Sequence, residues 1–367
     1  MTRVTGRFHC RLGAVLLAAT VLAGARHPAA QSTPPSACAL QTTERIVAVG
    51  DVHGAYDKFT GILRAAGIID GRERWTGGRA VLVQTGDVLD RGADSRKALD
   101  LLRRLERDAT RAGGRVHALL GNHEVMRMIG DWRYVSEGEY AAFRTADSAD
   151  LRERAYQAVL ADAARRAPAE SPPRDNAAFR DQFMKEVPPG FLEMRAAFGA
   201  AGDYGRWLRG HDVVVKINDI LFVHGGLTLA AASMGCEGLN ETIRREVAGN
   251  PTPEAVPSTL AASETGPLWY RGLAEQPEPA LADEVRAMLA RLGARAIVIG
   301  HTVTRDGRIS TRFDGRVVQI DTGMLDGTFY PGGTPSVLEI RGNALAAIYP
   351  DHRENLQLPA LATSAAR

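Results

Sequence analysis

Cysteine is scarce in this chain: Cys10, Cys38 and Cys236 are the only three in 367 residues. A disulfide scaffold is therefore excluded. Charge of either sign is not in excess, with 45 basic against 43 acidic residues and a net charge of +2. That balance argues against a nucleic-acid binder working through a basic face. Long apolar runs are missing after residue 25, so no membrane span is expected in the mature form. Internal repeats are absent too. What remains is ordinary globular usage, 45% hydrophobic and 24% charged, which excludes collagen-like and disordered classes. The length allows two domains or one large domain with an insertion, and a sizeable core needs no staples.

The small basic excess belongs to the first residues. Arg3, Arg7 and Arg11 precede an apolar run of 14, Leu12 to Ala25, that ends in Ala23-Gly24-Ala25. Without those arginines, 42 basic residues face 43 acidic. A positive start, a short apolar stretch and a small-x-small site form a secretory signal pattern. Cleavage after Ala30 is the alternative, with Pro28 at its −3 position. A retained anchor would need about 20 apolar residues. The mature protein is expected to be exported, periplasmic or secreted. Cys10 leaves with the leader, and Cys38 and Cys236 are expected to pair.

Residues 26–43 read as a flexible lead-in and 351–367 as a tail. Between them lie short apolar runs at 46–50, 80–84, 116–120, 220–224, 296–300 and 317–321. Runs this short, apolar on both faces, are typical of buried strands. Helical patterns intervene, such as Ala98, Leu101, Leu102 and Leu105 on one face. Residues 140–210, rich in Ala, Arg and charge, read as a helical insertion or cap. The whole is an α/β chain with mixed sheets.

The polar residues cluster where strands end. Asp51-Val52-His53-Gly54 follows the first, Gly86-Asp87-Val88-Leu89-Asp90-Arg91-Gly92 the second and Gly121-Asn122-His123-Glu124 the third. His224-Gly225-Gly226 and Gly300-His301-Thr302 follow later ones. Loops at strand C-termini converge on one crevice, which would gather Asp51, His53, Asp87, Asn122, His224 and His301. This nitrogen and oxygen set suits manganese, iron or zinc better than calcium or magnesium. Six side chains suffice for two ions if one carboxylate bridges, and two ions can clamp an in-line displacement. Each motif alone is a weak signal; the ordered set is strong. His117 and His211 have no motif around them and read as ordinary structural residues.

The order GDVHG, GDVLDRG, GNHE, HGG, GHT resembles the calcineurin-like metallophosphoesterases, and the DRG extension resembles their phosphoprotein phosphatase branch. Residues 75–87, 123–135 and 266–272 look like the bacterial-type Shewanella-like protein phosphatases. The resemblance covers roughly residues 45–350 and implies a four-layer α/β/β/α sandwich over 44–350. It implies that Asp51, His53 and Asp87 hold one metal, with Asp87 bridging, and that Asn122, His224 and His301 complete a second. The ions would be manganese first, with iron or zinc as alternatives. His123 would be the general acid, oriented by Asp90, while Arg91 and Arg271 would bind phosphate oxygens. At Arg127 the resemblance leads one to expect asparagine, at a position bordering the substrate entrance.

The expected activity is one-step hydrolysis of a phosphomonoester by a metal-bridging hydroxide. No cysteine motif suggests a covalent route. The substrate would be a phosphorylated protein or peptide, phosphotyrosine included, or a small phosphomonoester, and not a nucleic acid. A nucleotide or dinucleoside polyphosphate hydrolase is the alternative. A metal-loaded module that only binds phospho-ligands is the third.

Overall fold

A computed structural model describes residues 38–166, 177–248 and 259–357. The expected leader and both of its cleavage sites lie outside the described residues.

Among the described residues, twelve strands form in chain order: β1 (Ala39–Leu40), β2 (Ile46–Val49), β3 (Val81–Gln84), β4 (Arg115–Ala118), β5 (Val214–Ile217), β6 (Ile220–Val223), β7 (Ala296–Ile299), β8 (Ser310–Arg312), β9 (Val317–Gln319), β10 (Val337–Arg341), β11 (Ala344–Ile348) and β12 (Arg353–Leu356). They make two six-stranded sheets, in the orders β1-β5-β6-β7-β9-β8 and β12-β11-β10-β2-β3-β4. Each is mixed. In one sheet β2, β3 and β4 run parallel, with β10 antiparallel to β2. In the other β6, β7 and β9 run parallel, with β5 antiparallel to β6.

Side-chain alternation explains the layering. Ile46 and Ala48 of β2 join Val81 and Val83 of β3, Val215 and Ile217 of β5, and Ile220 and Phe222 of β6 in one core. That core lies between the sheets. Val47, Val49, Leu82, Val214, Leu221 and Val223 point the other way, into a core shared with helices. Helices Tyr56–Ala65 and Ser95–Arg111 cover one sheet, and Gly235–Val247 and Glu278–Leu292 cover the other. The helix Ser95–Arg111 buries Ala98, Leu101, Leu102 and Leu105 as their spacing predicts. The result is the four-layer α/β/β/α sandwich.

The helical stretch runs from Glu137 to Arg209 in five helices. Within it, residues 144–193 form a compact unit of their own. Its core is Ala155, Tyr156, Val159 and Phe183, with the Tyr156 and Phe183 rings 5.3 Å apart.

The chain ends are more structured than expected. In the supposed lead-in, β1 pairs with β5, and Cys38 forms a disulfide with Cys236, Cα to Cα 6.1 Å. That separation is ordinary for the bond. In the supposed tail, β12 pairs along β11. β1 is only two residues long and β12 carries mostly polar side chains, so neither shows the apolar run that marks a central strand. Among the described residues, no helix is long and apolar enough to cross a membrane.

Candidate active site

Five strands end at one place. Asp51 and His53 follow β2, Asp87 follows β3, Asn122 follows β4, His224 follows β6 and His301 follows β7. All six side chains are buried. The backbone is forced to bring them there. His53, Asp87, Asp90, Arg91 and His301 all have positive φ, five of the nine such non-glycine residues described. Strain of this kind gathers at functional sites. Two glycines allow the close approaches. A Cβ on Gly300 would meet Asp51 Oδ1 at 2.5 Å, and one on Gly121 would collide with Asp87 Oδ1.

Asp87 stands at the centre. Its Oδ2 lies 3.7 Å from His53 Nε2, 3.7 Å from His123 Nε2 and 3.2 Å from His224 Nε2. His224 Nε2 is also 2.9 Å from Asn122 Oδ1 and 3.1 Å from His301 Nδ1. Asp51 Oδ2 is 3.7 Å from His53 Nε2, and Asp51 Oδ1 accepts the backbone N–H of His301 at 3.0 Å. Two donor groups thus share Asp87: with His53 and His123 on one side, and with His224 and His301 on the other, each within 4.8 Å.

These donors fit divalent cations. One N–H at His224 Nε2 cannot serve three acceptors at once. Ligands about 2.0–2.2 Å from an ion sit roughly 3–3.5 Å from each other, close to the separations seen. Hydrogen bonds from the far ring nitrogens fix which nitrogen faces inward. His53 Nδ1 donates to Leu89 O at 2.8 Å and His224 Nδ1 to Thr85 O at 3.0 Å.

The electrostatics match a cation-seeking site. Burial holds His53 down to about 3 and His301 down to about 2, so both rings are neutral. Burial also works against charge at His224, but Asp87 and Asp51 lift it to about 9. Burial pushes Asp87 up, yet the imidazoles of His224, His123 and His53 pull it well below the ordinary carboxylate range. Burial, with Asp321 beside it, raises Asp51. Asp321 itself is lifted by burial to about 6.

His123 and Asp90 form a second feature. His123 Nδ1 lies 2.5 Å from Asp90 Oδ2, while Nε2 faces Asp87. Arg91 reaches His53 Nε2, and its guanidinium lies 5.7 Å from the Tyr134 ring and 5.5 Å from the Tyr330 ring. Arg271 is exposed and donates to His301 O and Thr302 Oγ1, both at 3.0 Å. Every sequence-predicted site residue therefore gathers at this crevice.

Arg127 requires a correction. Expected at the substrate entrance, it is buried and paired with Asp90 and Glu139. It falls one turn after His123 on the helix Asn122–Ile129. His117 and His211 lie away from the crevice, His117 in β4 and His211 against Glu106 at 3.2 Å.

Sequence reasoning missed Glu124 and Asp321. Glu124 lies in GNHE, and its carboxylate accepts the backbone N–H groups of Asp87, Val88 and Gly121 at 2.8–2.9 Å. Asp321 ends the apolar run beginning at Val317, the same strand-end signal that marked the others. It is buried and accepts from Gly323 N at 3.0 Å, leaving Oδ2 without a partner.

A crevice of this composition at the strand ends of such a sandwich defines a metal-dependent phosphoesterase. Residues 44–305 match the calcineurin-like phosphoesterase family, and the chain belongs to it. Shewanella-like protein phosphatase 2 of Arabidopsis thaliana is 33% identical, over 85% of this chain and 80% of that protein. Shewanella-like protein phosphatase 1 of Plasmodium berghei is 26% identical, over 83% and 74%. Among solved structures, a cold-active protein-tyrosine phosphatase of a psychrophilic Shewanella species is 27% identical. It superposes with a TM-score of 0.66, covering 88% of this chain and 82% of that one. The chain is a metal-dependent phosphoric ester hydrolase with the calcineurin-like fold.

Proposed function

We propose that this chain is an exported two-metal phosphatase acting on phosphomonoesters, with phosphotyrosine in proteins or peptides as the first candidate substrate. The observation that carries the two-metal reading is the position of Asp87. One carboxylate oxygen lies 3.7 Å from His53 Nε2 and 3.2 Å from His224 Nε2, between both donor groups. Asp51, His53 and Asp87 would hold one ion, and Asp87, Asn122, His224 and His301 the other. Manganese suits the mixed donors, as do iron and zinc. Two bound ions would supply a nucleophile from water at neutral pH and clamp the phosphate oxygens.

The chain's own residues do the rest. The Arg91 and Arg271 forks match pairs of phosphate oxygens. His123 Nε2 gives a proton to the departing oxygen, and Asp90 holds the other ring nitrogen so that Nε2 points inward. The Tyr134 and Tyr330 rings beside Arg91 offer apolar walls to an aryl leaving group. The tyrosine-phosphatase description of the Shewanella structure supports the same substrate class. Export rests on the sequence of residues 1–25, and the Cys38–Cys236 disulfide agrees with an oxidising compartment.

The test is to strip the purified protein of metal and reload it with manganese, iron, zinc or magnesium. Phosphotyrosyl peptide hydrolysis should return with about two ions per chain. Faster turnover of dinucleoside polyphosphates would overturn the substrate reading. A single ion at full activity would overturn the two-metal reading. For export, the mass of protein recovered outside the cytoplasm should correspond to cleavage after Ala25.

A further inference from the structure

Arg127 is among the largest fully buried side chains in the molecule, at 2% exposure. A buried guanidinium is costly unless it is paired, and the chain surrounds this one with partners. Nη2 bonds Asp90 Oδ1 and lies 3.3 Å from Glu139 Oε1. Nη1 is 2.9 Å from Met194 Sδ. The rings of Trp132 and Phe198 lie 5.4 and 5.2 Å from the guanidinium carbon. Burial disfavours the charge on Arg127, but Asp90 and Glu139 overcome it and raise its pKa.

The two oxygens of Asp90 are divided. Oδ1 belongs to Arg127, and Oδ2 is 2.5 Å from His123 Nδ1. The terminal torsion of an aspartate is broad and nearly two-fold. Holding one oxygen therefore fixes where the other points. Glu139 ties down the main chain of the same residue, accepting the Asp90 N–H at 3.1 Å. Asp90 has a φ of 71° there. Glu139 Oε2 accepts Ser136 N at 3.1 Å, at the start of Glu139's own helix Glu137–Phe143.

We infer that Arg127 is a positioning residue for the His123 proton donor, acting through Asp90 and steadied by Glu139. The inference rests on the reading of His123 as general acid. A misdirected Asp90 would leave His123 free to turn away from the departing oxygen. The damage would be greatest where that oxygen most needs a proton.

The experiment compares full-length, manganese-loaded Arg127→Lys and the double variant Arg127→Gln/Glu139→Gln with the parent, using His123→Asn as reference. Lysine keeps the buried charge without the fork, and the double variant removes opposite charges together. If either fails to fold, the other carries the test. Substrates are 4-nitrophenyl phosphate, whose leaving group needs little help, and phosphoserine, whose alkoxide needs much. The Arg127 variants should lose about 10–100-fold in kcat on phosphoserine and less than about threefold on the aryl ester. KM and bound manganese should be unchanged. His123→Asn should show the same bias more strongly. If His123→Asn shows the bias and the Arg127 variants do not, Arg127 only packs and the inference is overturned. If His123→Asn lacks the bias, the reading of His123 fails and the inference falls with it.

Discussion

The carboxylate of Glu124 accepts the backbone N–H of Asp87 at 2.8 Å, and with it those of Val88 and Gly121. The loop after β3 and the turn before the helix Asn122–Ile129 are thereby held as one piece. Burial raises Glu124, Asp87 adds to the rise, and the backbone donors oppose it. Glu124→Gln leaves one acceptor oxygen where two are used. Its amide nitrogen would face the N–H groups of Asp87 and Gly121, or that of Val88. We expect a loss of about 1–3 kcal/mol in stability and roughly 10–100-fold weaker metal binding. Urea denaturation and a manganese titration would measure these. An unchanged metal affinity would mean that the loops keep their places without Glu124.

Asp87→Asn tests the proposed sharing of Asp87 by two ions directly. Asparagine keeps the shape but offers one neutral oxygen to both donor groups. The bound metal should fall from two ions to one or none. Activity should fall on the order of 10²–10³-fold or more, as when one charge stabiliser of a transition state is lost. Elemental analysis beside the rate decides between the two effects. Two ions retained at low activity would remove Asp87 from the bridge.

His123 is as near to Asp87 as His53 is, both at 3.7 Å. Distance alone therefore does not separate a ligand from a proton donor. Its far nitrogen has a different partner, since Nδ1 meets the Asp90 carboxylate whereas those of His53 and His224 meet backbone carbonyls, but ligating histidines also use carboxylates. His123→Asn should bind its full complement of metal yet turn over alkyl phosphates about 10²-fold more slowly or worse. Loss of metal would make His123 a ligand.

Much of this site was legible in the sequence because strand-end loops converge. Asp51, His53, Asp87, Asn122, His224 and His301 each follow a short apolar run, and those runs are β2, β3, β4, β6 and β7. Asp321 follows such a run too, but no motif beside it marks it as a site residue. The entrance position expected of Arg127 comes from a resemblance that has asparagine there, and it carries no information on how a larger side chain packs. Only the packing of Trp132, Phe198 and Met194 around it sets which way it points. Glu139 was invisible, since nothing local ties residue 139 to Asp90. The edge strand β1 is too short, at two residues, and β12 too polar to show the apolar run that marks central strands.

The Cys38–Cys236 disulfide ties β1 to the start of the helix Gly235–Val247 across a sequence separation of 198 residues. Cross-links that close long loops restrict the unfolded chain most. Cys236→Ser, or reduction with the fold otherwise intact, should lower stability by about 2–5 kcal/mol. The metal site should be untouched, because none of its ligands lies on β1. Denaturant melts with and without reductant, alongside phosphatase assays, would check both halves. Activity lost in step with reduction while the fold persists would instead tie the disulfide to the site.

Glu106 offers a test of electrostatics away from the metals. It accepts Trp207 Nε1 at 2.8 Å and faces His211 Nε2 at 3.2 Å. Burial opposes its ionisation, but the contacts with His211 and Trp207 prevail and hold its pKa below the usual glutamate value. A carboxyl group depressed in the folded state stabilises the fold above its unfolded pKa, about 4.3. That contribution disappears as pH falls through the lower, folded value. Glu106→Gln keeps an acceptor for Trp207 but cannot carry the charge. The variant should be less stable than the parent at pH 6–7, and the gap should narrow steadily as the pH is taken below about 4.3. Urea melts across that range read the gap directly. A gap constant with pH would mean that Glu106 contributes packing and hydrogen bonding alone, and that its charge adds nothing to the stability of the fold.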